Sequence, residues 1–201
     1  MNKQAKLWLG NHGKTWTDHN ASAIDIKERA KTFKDLVGGL PVKSILEVGC
    51  NKGYNLTAFS TFGDYNLVGV DIVDYAIRNT DCSAELIVAD AFKLPFKDNS
   101  FDLVLACGFF DAYPYKGIPE LAKEVSRVTK KYILVIDYAI YNFNKRIDVL
   151  VSSEGVPLFW MREYEGIFQH CVSRGGRNPN LAGFNEPVIT WWLFEKREDN
   201  I

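Results

Sequence analysis

Glu47-Val48-Gly49-Cys50-Asn51-Lys52-Gly53 lies where a short apolar run, Ser44–Val48 (SILEV), gives way to a stretch of helical spacing, Tyr54–Phe62. The run is short, aliphatic and bounded by turn residues, which reads as a buried strand. The two glycines of the turn let the backbone come close to a ligand that side chains would exclude. The helix start behind them presents unpaired N–H groups. Four more runs have the same character: Leu67–Asp71, Glu85–Ala89, Phe101–Ala106 and Tyr132–Asp137. Asp74–Asn79 and Ile118–Thr129 between them have helical spacing; in the latter, Ile118, Leu121, Ala122, Val125 and Val128 share one face. Pro119 suits its first turn. Buried strands alternating with amphipathic helices imply a doubly wound α/β fold, a parallel sheet with helices on both faces. Ligands of such sheets sit beyond the carboxyl ends of the strands at the switch point, which is where the glycine turn falls.

Outward from this core the signals weaken. Ser22–Leu36 places Ala23, Ile26, Ala30 and Phe33 on one helical stripe, stopped by Gly38-Gly39. The preceding Leu7–Asn20 is aromatic, polar and glycine-punctuated, and reads as an irregular arm. After Asp137, residues 139–160 hold an apolar patch, Ile147–Val151, and two loops. Arg162–Ser173 reads as a helix, Ser173–Asn180 as a loop and Val188–Lys196 as a terminal strand rich in sheet-favouring residues. The expected organisation is one domain over 1–201: arm and helix to residue 40, ligand-binding core over 41–138, and a C-terminal part from 139.

Composition narrows the function. With 201 residues, 47% of them apolar and 24% charged, the chain is an ordinary globular sequence, not a disordered or fibrous one. Lys and Arg number 24 against 25 Asp and Glu. No global field therefore recruits nucleic acid or an anionic membrane. No window approaches a membrane-spanning length, and MNKQAKLWLG lacks a signal-peptide core, so a cytoplasmic location is expected. The 4 cysteines form no CxxC pair and the 3 histidines no HExxH pattern. We expect no metal site and four reduced, mostly buried thiols. The sequence specifies no oligomeric state.

Three ligands compete for the glycine turn. A P-loop needs GxxxxGK[ST], which is absent. A dinucleotide fold needs GxGxxG for its pyrophosphate, whereas here position 51 is Asn and the spacing is GxxxG. S-adenosylmethionine has a cationic, amino-acid-bearing end and no phosphate; a carboxylate ahead of the glycines, Glu47, suits an ammonium or sulfonium neighbour. A plain strand-to-helix turn is the competing reading. Asp71, at the tip of the second strand, suits ribose hydroxyls but also suits a turn. Asp90, beside Ala91 and ahead of Leu94-Pro95-Phe96, suits an adenine amino group but also suits a cap. Cys107 ends the fourth strand and reads as a packed thiol rather than a nucleophile, since no His lies within sequence reach.

In that order and at those intervals, ILEVGCNKGYN, LVGVDI, IVADAFKLPF and FDLVLACG resemble the class I S-adenosylmethionine-dependent methyltransferases over about residues 43–138. The resemblance implies a Rossmann-like seven-stranded sheet, five parallel strands followed by a late antiparallel hairpin, and S-adenosyl-L-methionine as cofactor. It implies that Glu47, Gly49 and Gly53 line the methionine side, that Asp71 holds the ribose, that Asp90 and Ala91 hold the adenine, and that Cys50, Asn51, Asn55 and Ile72 also belong to the cofactor site. Cys107 would begin the loop beside the cofactor. The arm, GCNKGYNL and LFWMREYEG are also similar to the pseudaminic-acid-biosynthesis-associated methylases, which implies a nucleotide-sugar or surface-glycan setting. Against that group's arm, Trp16 replaces a Tyr, His19 replaces an Arg and Asn20 matches; Ala112 stands where a His follows the fourth strand.

Methyl transfer needs positioning above all, and a hydroxyl or ammonium acceptor also needs a general base. Asp111, His19, Tyr113 and Asp137 are candidates, with Asp111 and His19 preferred. Trp8, Trp16 and Asn20 are read as a lid over the cofactor, or as packing on the sheet edge. Phe109, Phe110, Tyr113 and Tyr115, with Trp160 and Trp191-Trp192, suggest flat or apolar acceptor walls, or core packing. The expected activity is methyl transfer to a small-molecule or sugar acceptor, with no nucleic-acid or membrane partner. A non-catalytic S-adenosylmethionine-binding regulator or scaffold is the alternative.

Overall fold

A computed structural model describes residues 3–20, 24–138, 148–151, 157–160, 164, 166–168, 171–174, 183–184 and 189–197. Its strands are β1 (Ser44–Val48), β2 (Asn66–Asp71), β3 (Glu85–Val88), β4 (Phe101–Cys107), β5 (Thr129–Tyr138), β6 (Asp148–Val151), β7 (Pro157–Trp160), β8 (Cys171–Arg174) and β9 (Ile189–Lys196). The helices are α1 (Lys3–Leu9), α2 (Asn11–Asn20), α3 (Ile26–Val37), α4 (Tyr54–Ser60), α5 (Asp74–Arg78) and α6 (Ile118–Val128).

Seven strands form one sheet in the order β3-β2-β1-β4-β5-β9-β8. β1 to β5 are mutually parallel, and β9 runs antiparallel to both β5 and β8. The expected five parallel strands and late antiparallel hairpin are therefore present. β6 and β7 make a separate antiparallel pair. The order reverses at β1, so β1 and β4 diverge around the switch point.

Strand alternation builds two apolar layers. Leu46, Val48, Val104, Ala106, Ile133 and Val135 face the side covered by α6. Ile45, Leu103, Leu105, Leu134 and Ile136 face Phe33 and Val37 of α3 and Ala58 and Phe59 of α4. Residues one apart on a strand point to opposite faces, so Glu47 lies on the α3/α4 side with Ile45. Asp102 locks the start of β1 to β4: its Oδ2 accepts the N–H groups of Lys43 and Ser44, each at 3.0 Å.

Three expectations change. The arm is two helices, α1 and α2, and not an irregular segment. Over the expected helix Arg162–Ser173 the described residues are not helical: Gly166–Phe168 is a turn and Cys171–Arg174 is an edge strand on β9, while Arg162, Glu163, Glu165, Gln169 and His170 lie outside the described residues. The cross-strand pairing satisfies backbone groups that a helix would have satisfied locally. The thiols are less covered than expected, since Cys50 is buried but Cys82, Cys107 and Cys171 are half-buried; all four are free. Within the expected patch Ile147–Val151, Asp148–Val151 is β6, while Ile147, Gly175–Asn180 and Val188 lie outside the described residues. Among the described residues no helix is long and apolar enough to cross a membrane.

Candidate functional site

A cavity of about 270 Å³ opens at the carboxyl ends of β1, β2 and β4, with α2, α3 and the start of α4 around it. Of the residues singled out from sequence, Trp16, Glu47, Gly49, Cys50, Asn51, Asn55, Asp71, Ile72, Ala91 and Cys107 line it. Gly53, Asp90, Asp111 and His19 are not among the lining residues. Asn20 ends α2, and its side chain lies outside the described residues.

The turn after β1 is set by two left-handed residues, Gly49 at φ 74° and Asn51 at φ 48°. A Cβ on Gly49 would stand 2.2 Å from Cδ2 of Phe109. Gly49 is thus required by the aromatic wall as much as by any ligand, which the sequence reading did not foresee. Asn51 ties the turn to its neighbours: its N–H donates to Asp71 Oδ2 at 2.8 Å, and its Nδ2 donates to Thr17 Oγ1 of α2 at 3.2 Å. Through this contact the arm reaches the turn. Trp8 and Trp16, one helix apart, meet edge to face with centroids 5.9 Å apart, and both line the cavity.

Asp71 also accepts the Val73 N–H on Oδ1 at 2.8 Å. Burial pushes its carboxyl up, opposed by the backbone donors of Val73 and Asn51. A carboxylate has about four acceptor positions, and the Ile72 backbone also bonds to this one, so about one position remains for a ligand hydroxyl. Asp90 behaves as a turn carboxylate: Oδ1 accepts the Phe92 N–H at 3.0 Å, while Ala89 and Ala91 on either side line the cavity.

Glu47 is the most constrained group. It is 1% exposed; Oε1 accepts from Asn55 Nδ2 at 2.6 Å, and Oε2 is buried with no hydrogen-bond partner among the described residues. Burial pushes its carboxyl up to about 8, against the Asn55 hydrogen bond and the field of Arg29. A buried acceptor left unmatched costs about 1–3 kcal/mol, more when charged, and no donor among the described residues meets Oε2. Arg29 Nη1 donates to Asn55 Oδ1, and its Nε donates to Gly183 O at 3.2 Å. Sequence reading missed Arg29: it sits on α3, far along the chain from the glycine turn, and only packing brings it there.

The preferred bases fall elsewhere. His19 is exposed on α2, its Nδ1 2.8 Å from Thr15 O. Asp111 is fully buried, and its backbone N–H donates to Asp137 Oδ2 at 3.1 Å. Asp137 does line the cavity, and Tyr164 OH donates to its Oδ2 at 2.7 Å. Tyr113 lines it too; burial raises its hydroxyl well above the ordinary range, which keeps it a donor. Among the described residues no group of His, Cys, Asp and Glu side chains could hold a metal.

Residues 46–135 match the methyltransferase domain family. The 24-methylenesterol C-methyltransferase 2 of Arabidopsis thaliana is 27% identical over 178 residues, covering 79% of this chain and 48% of that protein. The chain spans about half the length of the curated relatives it matches. A methyltransferase solved with the Trm112 methyltransferase activator of Haloferax volcanii superposes with TM-score 0.71 at 16% identity, covering 96% of this chain and 99% of that one. The Burkholderia thailandensis 1,6-didemethyltoxoflavin-N1-methyltransferase, solved with 1,6-didemethyltoxoflavin and S-adenosylhomocysteine, superposes with TM-score 0.67 at 10% identity, covering 97% and 87%. These two likenesses are of fold. The stretch that matches the methyltransferase domain family carries most of β1–β5, and the cavity at its carboxyl edge gathers the acidic and glycine positions of the sequence motifs, so this part of the chain is similar to the class I S-adenosylmethionine-dependent methyltransferases.

Proposed function

We propose that the protein transfers a methyl group from S-adenosylmethionine to a small-molecule acceptor. The observation that carries the reading is the orphaned, buried Glu47 Oε2 in a cavity that also presents Asp71. The cofactor's α-ammonium is the donor Oε2 lacks, and its ribose hydroxyls are partners for Asp71. Ala91 and the backbone around it offer the adenine a flat apolar edge. When bound, S-adenosylmethionine supplies a methyl group on a cationic sulfur, open to in-line displacement by an acceptor lone pair.

The chain's part is to bind, orient and exclude water. Trp8 and Trp16 of the arm line the cavity together with Phe109, Tyr113 and Phe184, so much of its wall is aromatic. With Glu47 and Asp71 committed to the cofactor, Asp137 is the remaining lining carboxylate among the described residues and the candidate proton acceptor; the Asp111 backbone N–H and the Tyr164 hydroxyl position it. Positioning of this kind is worth up to about 7–11 kcal/mol in favourable cases, and a general base about 10²–10⁴-fold.

Within that class, a sugar acceptor of nucleotide-sugar or surface-glycan synthesis is the first to assay. It is supported by the likeness of the arm and GCNKGYNL to the pseudaminic-acid-biosynthesis-associated methylases, and sugars stack on aromatic walls. Isothermal calorimetry with S-adenosylmethionine, followed by methyl-transfer assays on sugar nucleotides and on sterol and aromatic acceptors, tests the proposal. Binding with turnover on one acceptor class is expected. Binding with no turnover on any of them would favour a regulator or scaffold.

A further inference from the structure

We propose that the cavity selects a protonated amine as acceptor, so that the methyl group goes to the nitrogen of a small organic ammonium ion and a phosphate on the acceptor is disfavoured. The inference rests on the cofactor reading above and names the acceptor class within it. Among the described residues the charged side chains of the cavity wall are Arg29, Glu47, Asp71 and Asp137. Three carboxylates against one guanidinium leave the wall two negative charges in excess, and neither Lys nor His lines it among those residues. Asn55 ties Arg29 to Glu47, its Oδ1 accepting from the first and its Nδ2 donating to the second, so the guanidinium offsets that carboxylate before any other. S-adenosylmethionine carries an ammonium, a carboxylate and a sulfonium, one positive charge net. One negative charge is then left for the acceptor to meet. A charge without a counter-charge is costly away from water. A singly charged ammonium neutralises it, a neutral alcohol leaves it, and a phosphate adds to it.

With Glu47 and Asp71 on the cofactor, the surplus charge sits on Asp137. This residue is 1% exposed, and its Oδ2 accepts the Asp111 N–H at 3.1 Å and the Tyr164 hydroxyl at 2.7 Å. Both donors favour the ionised form of the carboxyl. The loop that supplies the Asp111 N–H also supplies Phe109, which lines the cavity and meets Tyr113 edge to face with centroids 5.3 Å apart. Aromatic faces attract cations. A carboxylate and aromatic rings on one wall therefore favour an ammonium twice over, by charge and by ring quadrupole.

The bound R–NH3+ gives one proton to the Asp137 carboxylate, which keeps two cations from meeting at the sulfonium. The freed nitrogen lone pair forms the N–CH3 bond as the CH3–S bond breaks, and that bond's electron pair stays on sulfur as a neutral thioether. The product leaves as R–NH2+–CH3, and the proton on Asp137 passes to water. Among sugar acceptors the same selection favours an amino sugar over one with a phosphate inside the cavity.

The test uses the full chain saturated with S-adenosylhomocysteine, which cannot donate a methyl group, and three probes that share one ring: benzylamine, benzyl alcohol and benzyl phosphate. Calorimetry at neutral pH should show benzylamine bound more tightly than benzyl alcohol by about 10–100-fold, the range for a charge-assisted hydrogen bond, with benzyl phosphate the weakest. Asp137→Asn should bring benzylamine down to the level of the alcohol, while S-adenosylhomocysteine affinity stays within about threefold. If Asp137→Asn does not fold, the native ranking decides alone. Benzyl alcohol or benzyl phosphate binding as tightly as benzylamine, or no probe binding below about 10 mM, overturns the amine selection and leaves the cofactor reading standing. A preference for benzylamine that persists in Asp137→Asn overturns Asp137 as its origin. Failure of the native chain to take up S-adenosylhomocysteine overturns both.

Discussion

Replacing Glu47 with Gln should separate a stability effect from a binding effect, and both magnitudes follow from the geometry. The Glu47 carboxyl is raised from 4.5 to about 8 by burial. A group raised on folding contributes stability that is fully present below its unfolded value and lost as pH climbs through its folded value. Stability should therefore fall between about pH 4.5 and 8, by of the order of 5 kcal/mol at about 1.4 kcal/mol per pH unit. Glu47→Gln keeps an oxygen for Asn55 Nδ2 and cannot ionise. The difference between native and variant melting curves should thus grow across that window, with the variant ahead at pH 8. Ligand binding should move the other way. An ammonium on Oε2 needs the ionised carboxylate, so S-adenosylhomocysteine affinity should rise about tenfold per pH unit between pH 6 and 7.5, with proton release visible as a buffer-dependent heat. In the variant, a donor faces a donor, affinity drops, and the pH slope vanishes. Parallel melting curves for the two proteins, together with pH-independent binding to the native one, would refute the reasoning.

Further expectations concern the turn, the base and the core. Gly49→Ala places a Cβ 2.2 Å from Phe109 Cδ2 on a backbone at φ 74°, and should cost about 2–4 kcal/mol in denaturant melts from strain plus overpacking; a loss under about 0.5 kcal/mol would contradict the packing role. Asp137→Asn should lower turnover by about 10²–10⁴-fold while S-adenosylhomocysteine affinity stays within about threefold; unchanged turnover would remove Asp137 from the chemistry. Leu121→Ala, at a fully buried site on α6, should lose about 2–5 kcal/mol by chemical denaturation, and a tolerated substitution would mean that the α6 layer is looser than described.

The central β-α alternation was legible because its signals are local. Ser44–Val48 coincides with β1, and the other four core strands differ from their expected ends by a few residues. The α6 stripe was read correctly because one amphipathic period carries all five buried apolar positions. Asp25 could have placed the start of α3: its side chain accepts the Lys27 and Glu28 N–H groups, a capping signal passed over in favour of Ser22. The arm was missed for a different reason. NHGKTWTDHN is poor in helix formers, and α2 depends on contacts that no local pattern shows: Asn51 to Thr17, and Tyr75 OH to Asp18 at 2.9 Å. The edge strand β8 likewise exists through its pairing with β9.

At the site, the residues next to the glycine turn were readable because the motif itself brings them together. Arg29 and Phe184 were not, since only tertiary packing delivers them. Asp111 illustrates a near miss. It lies where the loop after β4 passes the end of β5, but its side chain is buried away from the cavity and its backbone supports Asp137, the carboxylate that lines it. A strand-end register identifies such a neighbourhood without telling which of two adjacent carboxylates faces inward.

A crystal structure with S-adenosylhomocysteine tests the central claim most directly. Its amino group should lie within hydrogen-bond reach of Glu47 Oε2, and its ribose hydroxyls on Asp71. Adenosyl density elsewhere on the chain, or a soaked crystal that takes up a nicotinamide dinucleotide in this cavity in its place, would contradict it.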